Sequence, residues 1–388
     1  MRIALFSGNY NYIREGANQA LNRLVRYAED HGHRVRVYSP VTDAPAFEPE
    51  GELVPVPSVA LPIRTEFRLA LTLPRAIRKD IRRFAPDLIH VATPDILGTR
   101  AQSLAKQLGV PIVASLHTRF ETYFDYYGLA WARPLAEAHL RRFYRRSDHV
   151  LAPTPGIVVE MKSIRGDEQV SLWSRGVDRA LFSPDRRDCA WRRTHGWRDD
   201  DVVALFFGRL VLEKGVREFI SIVNRLQACG VPVKSLVVGA GPAGGLFAAL
   251  PHAVLTGHLN GFELARAVAS ADVLIHPSRT EAFGNVVLEA MASGLAIVCA
   301  ASDSAESLLN DGQSGILSEG NADALAMEVQ RLATDPQKRR TLGNQARSAS
   351  RAFSWDAASA CALKAYERTA KVRTRSNAQR AHTGHRTA

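Results

Sequence analysis

Glu281 and Glu289 stand eight residues apart and flank the run Phe283-Gly284-Asn285-Val286. Just upstream, Val273-Leu274-Ile275-His276 is an apolar run that ends at Pro277, the pattern of a parallel strand buried on both faces. Gly294 stops the helical segment that follows Gly284. A helix opening at the carboxyl end of such a strand presents backbone N–H groups that suit a phosphate. Carboxylates on either side of those amides suit the hydroxyls of a sugar and a ribose. The layout suggests a nucleotide-sugar site.

Gly208-Arg209-Leu-Val-Leu-Glu-Lys214-Gly215 also follows an apolar run. Two fixed cations there could neutralise a diphosphate as its bond to a sugar breaks; the plainer reading is a solvated loop. Gly239-Ala-Gly241-Pro242 has two glycines of a dinucleotide-binding loop but lacks the third, and no acid ends the next strand. It reads instead as a tight turn that lets backbone approach a ligand or a neighbouring domain. His117 ends the run 111–116, where it could hydrogen-bond a substrate or be a satisfied structural histidine; His90 shares that ambiguity. Gly16 lies between the first strand and the first helix, a place where amides can meet a phosphate. Asp199-Asp200-Asp201 precedes a strand within a polar passage and reads as a solvated turn, so no metal site is expected.

The elements that would position these residues alternate from the start of the chain. Strands are expected over residues 2–7, 35–39, 87–91, 111–116 and 149–153, with helices over 18–31 and 97–108. After an Arg- and Asp-rich passage at 183–201 the alternation restarts, with strands at 202–207, 235–238, 253–256, 273–276 and 296–299. This is an α/β chain of two tandem Rossmann-like domains with parallel sheets and a ligand cleft between them. The expected boundaries are 1–183, 184–352, a last helix over 353–370, and a basic, disordered tail over 371–388.

With 388 residues and 46% hydrophobic composition, the chain can bury two cores and is not a disordered one. Its apolar runs are far shorter than the ~20 residues of a membrane span, and no secretory leader is expected. The four cysteines, Cys189, Cys229, Cys299 and Cys361, lack metal or disulfide spacing, which fits a reduced, cytoplasmic setting. The net charge of +11 resides in the first half and in the tail. Arg64, Arg68, Arg75, Arg78, Lys79, Arg82 and Arg83 interleave with Phe67, Leu69, Leu71, Leu73, Ile77 and Ile81. Arg141, Arg142, Arg145 and Arg146 follow an aromatic stretch of Phe120, Tyr123, Phe124, Tyr126, Tyr127 and Trp131. Such mixtures suit an anionic membrane surface; the alternative is surface helices with snorkelling arginines. No nucleic-acid-binding module is present in the sequence.

Together, Gly208-Arg-Leu with Glu-Lys-Gly215, Gly239-Ala-Gly-Pro242, Thr256-Gly-His-Leu259 and Glu281-Ala-Phe-Gly with Leu-Glu-Ala-Met-Ala-Ser-Gly294 resemble the retaining glycosyltransferases of family 4. That family has the two-domain GT-B fold, with a C-terminal helix returning to the first domain. Leu172-Trp-Ser-Arg-Gly-Val-Asp178 and His117-Thr-Arg-Phe resemble the branch of sulfoquinovosyl-diacylglycerol synthases and GDP-mannose-dependent α-mannosyltransferases.

The resemblance implies metal-independent, α-retaining transfer from a UDP- or GDP-sugar to a membrane lipid, with no cofactor, at the inner face of the cell membrane. It implies that Arg209 and Lys214 hold the diphosphate beside Gly208, and that Glu289 holds the ribose. Glu281 would hold the donor sugar, with the amides of Phe283, Gly284 and Asn285 and with Val286 alongside. His117 would touch that sugar, and Gly16 would abut the phosphate. Gly239 and Gly241 would belong to the donor site, and the loop of Thr256, Gly257, His258 and Leu259 would contact the base. The chain departs from the family in having Gly16-Ala17 for Gly-Gly, Gly239-Ala-Gly for Gly-Asp-Gly, and Asp303-Ser-Ala-Glu306 for a glycine-rich loop. The competing readings are a lipopolysaccharide, capsule or other oligosaccharide precursor as acceptor, a nucleotide-sugar 2-epimerase, and a non-catalytic scaffold.

Overall fold

The computed structural model describes residues 1–61, 66–250 and 252–384, with side chains through residue 372. Arg64 of the first basic cluster and residues 385–388 of the tail lie outside them. The chain divides into two compact units.

The first unit comprises Met1–Glu121, Trp131–Arg175 and the chain from Trp355 onward. Its strands are β1 (Arg2–Phe6), β2 (Arg34–Ser39), β3 (Glu52–Pro55), β4 (Val59–Ala60), β5 (Arg68–Leu69), β6 (Leu88–Val91), β7 (Ile112–Ser115), β8 (His149–Ala152) and β9 (Val170–Leu172). Apart from the small β4–β5 hairpin, they form one parallel sheet in the order β3-β2-β1-β6-β7-β8-β9. The central strands β6, β7 and β8 are buried at every residue, which is why they read as unbroken apolar runs. β3 and β9 are short edge strands without such a run, and the sequence does not announce them.

The helix Gly16–Asp30 packs Leu21, Leu24, Val25 and Ala28 onto this sheet. The C-terminal helix runs over Trp355–Gly384, beyond the residue 370 expected from sequence. No proline or glycine interrupts it before Gly384, so nothing in the backbone stops its propagation. Its Ala358, Ala362, Ala365 and Tyr366 join the core of the first unit. Arg75, Arg78, Lys79, Arg82 and Arg83 of the first basic cluster lie on a surface helix, Arg75–Phe84, that buries Ile81 and Phe84, whereas Arg68 lies in β5 and donates to Ser58 and Leu71 is exposed.

The second unit comprises Thr122–Ala130 and Gly176–Ser354, so the change of unit falls after Arg175 rather than at residue 183. Its strands are β10 (Val202–Phe207), β11 (Val233–Val238), β12 (Val254–Gly257), β13 (Val273–His276), β14 (Ala296–Ala300) and β15 (Ile316–Ser318). They form a parallel sheet in the order β12-β11-β10-β13-β14-β15. Alternate residues of β10 feed opposite faces: Val203, Leu205 and Phe207 enter one core, and Val202, Ala204 and Phe206 the other. Chain order reverses between β10 and β13, the topological switch point where open α/β sheets hold ligands.

The polar passage at 183–201 packs into this unit through a buried arginine. Arg192 is completely buried, donating to the Ser270 carbonyl at 2.7 Å, the Asp201 carbonyl at 2.6 Å and Asp272 Oδ2 at 3.1 Å. Arg187 takes the other Asp272 oxygen at 2.9 Å. Asp199, Asp200 and Asp201 pair with Arg193 and Arg198. Removing one partner from a buried ion pair strands the other charge. Arg192→Ala should therefore lower unfolding free energy by about 3–5 kcal/mol in urea titrations, whereas a loss under 1 kcal/mol would mean that Asp272 finds solvent without it.

Candidate active site

At the switch point, the segments after β10 and β13 are fastened together by short bonds. After β10 the chain passes Gly208 and Arg209 and forms a 3-10 turn at Leu212–Lys214. The turn closes at Gly215, whose φ of 79° is left-handed and which abuts Pro277 too closely to carry a side chain. The Ser278 and Thr280 hydroxyls both donate to the Glu213 carbonyl, at 2.8 and 3.2 Å. The Glu213 carboxylate turns inward and accepts from the Tyr127 hydroxyl at 2.8 Å.

This staple brings Lys214 Nζ to 2.5 Å from Glu281 Oε1. The Glu281 side chain is only 12% exposed. Burial alone would raise its pKa, but Lys214 and then His276 outweigh burial and hold it below the ordinary carboxylate range. His276, at the end of β13, sits 3.7 Å from the same oxygen, beyond hydrogen-bond reach. Burial brings it down to about 4, so it is neutral at neutral pH. Neither His276 nor Glu213 is among the residues expected from the sequence to form the site, although Glu213 lies inside the Gly208–Gly215 motif. A signal for the first existed, because His276 holds the strand-end position that singled out His90.

Beyond Glu281, Phe283 is buried and Gly284 adopts φ 92° to start the helix Asn285–Ala292. Val286 lies against Gly208, so the two predicted segments do meet. Asn285 and Glu289 share one helix face, four residues apart. Asn285 Oδ1 is buried with no hydrogen-bond partner among the described residues. Burial pushes Glu289 up to about 8.

Gly239 and Gly241 serve a closer purpose than the one expected of them. A side chain at Gly239 would collide with the Gly208 carbonyl, and one at Gly241 with the Leu210 carbonyl. The loops after β10 and β11 therefore pair directly: Gly208 N–H donates to Val238 and Leu210 N–H to Ala240, each at 3.0 Å. Gly239 N–H in turn donates to the Gly257 carbonyl at 2.8 Å, which sets Thr256, Gly257, His258 and Leu259 beside them. Gly208, Arg209, Lys214 and all of the other second-half candidates thus lie at the carboxyl ends of β10 to β13 in one unit.

Gly16 and His117 belong to the first unit. Gly16 is the first residue of its helix. His117 follows β7 with both ring nitrogens engaged, Nε2 with Ser115 Oγ at 2.7 Å and Nδ1 with Arg175 Nη2 at 3.0 Å. Burial first, then Arg175 and His90, drive its pKa well below the usual histidine range. His90 is fully buried and bonded to Ser115 and Tyr366, as a structural histidine would be.

Residues 14–181 match the family Glycosyltransferase Family 4, and residues 188–349 match Glycosyl transferases group 1. The chain is 30% identical to the sulfoquinovosyl transferase SQD2 of Arabidopsis thaliana, over 92% of this chain and 71% of that one. It is 32% identical to a GDP-mannose-dependent alpha-mannosyltransferase of Mycolicibacterium smegmatis, over 92% and 94%. It is 24% identical to an alpha-monoglucosyldiacylglycerol synthase of Acholeplasma laidlawii, over 89% and 92%. Among solved structures, sucrose-phosphate synthase from Thermosynechococcus elongatus shares the fold, with a TM-score of 0.78 at 20% identity over 95% and 98% of the two chains. The chain belongs to glycosyltransferase family 4, with the GT-B pair of Rossmann-like domains, and is a hexosyltransferase.

Glu289 gives a test of the site's electrostatics in the ligand-free protein. A carboxyl raised by folding contributes stability that is complete below the ordinary carboxylate range and is lost as pH rises towards 8. Glu289→Gln removes that dependence. Between pH 5 and 8.5 the wild type should lose more Tm than Glu289→Gln; parallel Tm curves would place Glu289 in contact with water.

Proposed function

We propose that this glycosyltransferase moves a hexose from a UDP- or GDP-sugar to a membrane lipid of the diacylglycerol, glycosyl-diacylglycerol or ceramide type, with α-retention and without a metal. The observation that carries this reading is the Lys214–Glu281 pair at the switch point of the second sheet. It presents a cation and a hydroxyl-binding carboxylate side by side, within reach of the helix that bears Glu289. Lys214, with Arg209, would take the diphosphate; Glu281 and the amides of Phe283, Gly284 and Asn285 would take the sugar, and Glu289 the ribose. His117 would stand beside the sugar and Gly16 beside the phosphate.

In the reaction, the acceptor hydroxyl oxygen bonds to the anomeric carbon on the face that the nucleotide leaves. The bond from that carbon to the phosphate oxygen breaks, and its electron pair departs with the nucleoside diphosphate. The acceptor's proton passes to the leaving phosphate oxygen. Lys214 and Arg209 stabilise the charge that grows there.

The lipid part of the reading is supported by a relative named for a diacylglycerol glycoside and by the surface of the first unit. Trp131 and Leu135 are 74% and 69% exposed. Trp131 precedes a helix, Arg133–Arg145, that carries Leu135 in its first turn and exposed Arg141 and Arg142 in its last turns. Apolar anchors beside cations suit the interface of an anionic bilayer, which would place the enzyme on the inner face of the cell membrane. By contrast, Arg145 and Arg146 donate to Ile164 and Ser103 of their own unit.

The test is transfer from a panel of UDP- and GDP-sugars to vesicles of anionic phospholipid containing diacylglycerol, with products followed by mass spectrometry and anomeric configuration by NMR. One donor should yield an α-glycolipid, and Lys214→Ala should lower kcat about a hundredfold or more. Trp131→Ala combined with Arg141→Gln and Arg142→Gln should weaken vesicle binding in a salt-dependent way. A water-soluble acceptor glycosylated in preference to lipid, or unaltered turnover in Lys214→Ala, would overturn the proposal.

A further inference from the structure

A line of hydrogen bonds crosses the interior of the first unit from Arg175 to Tyr366 and passes through His117. Arg175 Nη2 lies 3.0 Å from His117 Nδ1, and His117 Nε2 lies 2.7 Å from Ser115 Oγ. Ser115 Oγ is 2.7 Å from His90 Nε2, and His90 Nδ1 is 2.6 Å from the Tyr366 hydroxyl on the C-terminal helix. His90 and Ser115 are wholly buried, and Tyr366 and Arg175 nearly so. Trp173 walls the line, its ring edge-on to both His117 and His90, with the Arg175 guanidinium 4.8 Å above it. The Trp173 and Ser174 carbonyls hold Arg175 in place at 2.7 and 3.1 Å. The charged and titratable groups facing His117 are Arg175 and His90.

The donors and acceptors give this line a direction. A guanidinium can only donate, so His117 Nδ1 accepts and carries no proton. A neutral ring then has its proton on Nε2, where it donates to Ser115. The Ser115 hydroxyl has one proton of its own, and His90 Nε2 is the acceptor in reach. His90 therefore carries its proton on Nδ1 and donates to Tyr366.

We infer that Arg175, Ser115, His90 and Tyr366 are positioning residues that lock His117 as the neutral Nε2–H tautomer, with neither ring nitrogen available to take a proton during transfer. The functional part of this rests on the reading that His117 stands beside the donor sugar. It assigns a role to Tyr366, in a helix distant in sequence from every candidate site residue: the C-terminal helix fixes a side chain of the first unit's sheet through two intermediaries. It also leaves the departing phosphate, not His117, as the acceptor of the acceptor's proton.

The tautomers are read directly by long-range 1H–15N NMR on histidine-labelled full-length protein between pH 5.5 and 8.5, with His117→Gln and His90→Gln used for assignment. The expected spectrum shows His117 protonated on Nε2 and His90 on Nδ1 throughout. Tyr366→Phe keeps the packing and removes one oxygen; it should perturb both imidazole signals and lower kcat roughly tenfold through misplacement, with donor KM little changed. A His117 proton on Nδ1, titration of His117 within that window, or a Tyr366→Phe variant with wild-type spectra and kcat would overturn the inference. His117→Ala tests the underlying reading separately: undiminished transfer would remove His117 from the site and leave the tautomer result standing.

Discussion

The site in the second unit depends on one ion pair, Lys214 with Glu281, formed where the sheet's chain order reverses. Each partner would be costly alone. Glu281 is largely withdrawn from water, and a lysine without a partner would sample many rotamers before meeting a phosphate. Together they hold a cation at a fixed place and keep a carboxylate ionised beside it, which is the preorganisation that a diphosphate leaving group requires. Under the proposed function, a diphosphate arriving there would compete with Glu281 for Lys214 and release that carboxylate towards the sugar hydroxyls.

The surrounding structure is arranged so that this pair can form. The Ser278 and Thr280 hydroxyls tie the two segments through a single carbonyl, that of Glu213. Gly215 admits Pro277, and Gly239 and Gly241 admit the backbone of Gly208 and Leu210. In each case a methyl group would force the loops apart. The Arg192–Asp272 pair performs an analogous task at the opposite end of the sheet, where Asp272 also accepts the Val203 amide at the start of β10.

The strongly patterned parts were legible in the sequence. Buried parallel strands read as apolar runs because both faces are covered, and the Phe283-Gly284 turn announced a helix start at the end of β13. What escaped sequence reasoning has common physical causes. β3, β9 and β15 are edge strands with too few buried residues to produce a run. Arg192 looked like one more cation in a polar passage, since nothing local reveals that Ser270, Asp272 and Asp201 converge on it. Glu213 and Tyr366 gain their significance from partners distant in sequence, Tyr127 and His90. Gly239 and Gly241 do mark a close approach, but to the Gly208 and Leu210 carbonyls of the same unit and not to the ligand or neighbouring domain expected, because a glycine reports a lack of space without naming the neighbour that fills it.

The decisive measurement is a crystal structure of the protein with the nucleoside diphosphate of its donor. The diphosphate oxygens should bond Lys214 and Arg209, with Glu281 separated from Lys214 and the ribose hydroxyls on Glu289. A nucleotide bound elsewhere, with Lys214 still paired to Glu281 and Glu289 untouched, would contradict this expectation.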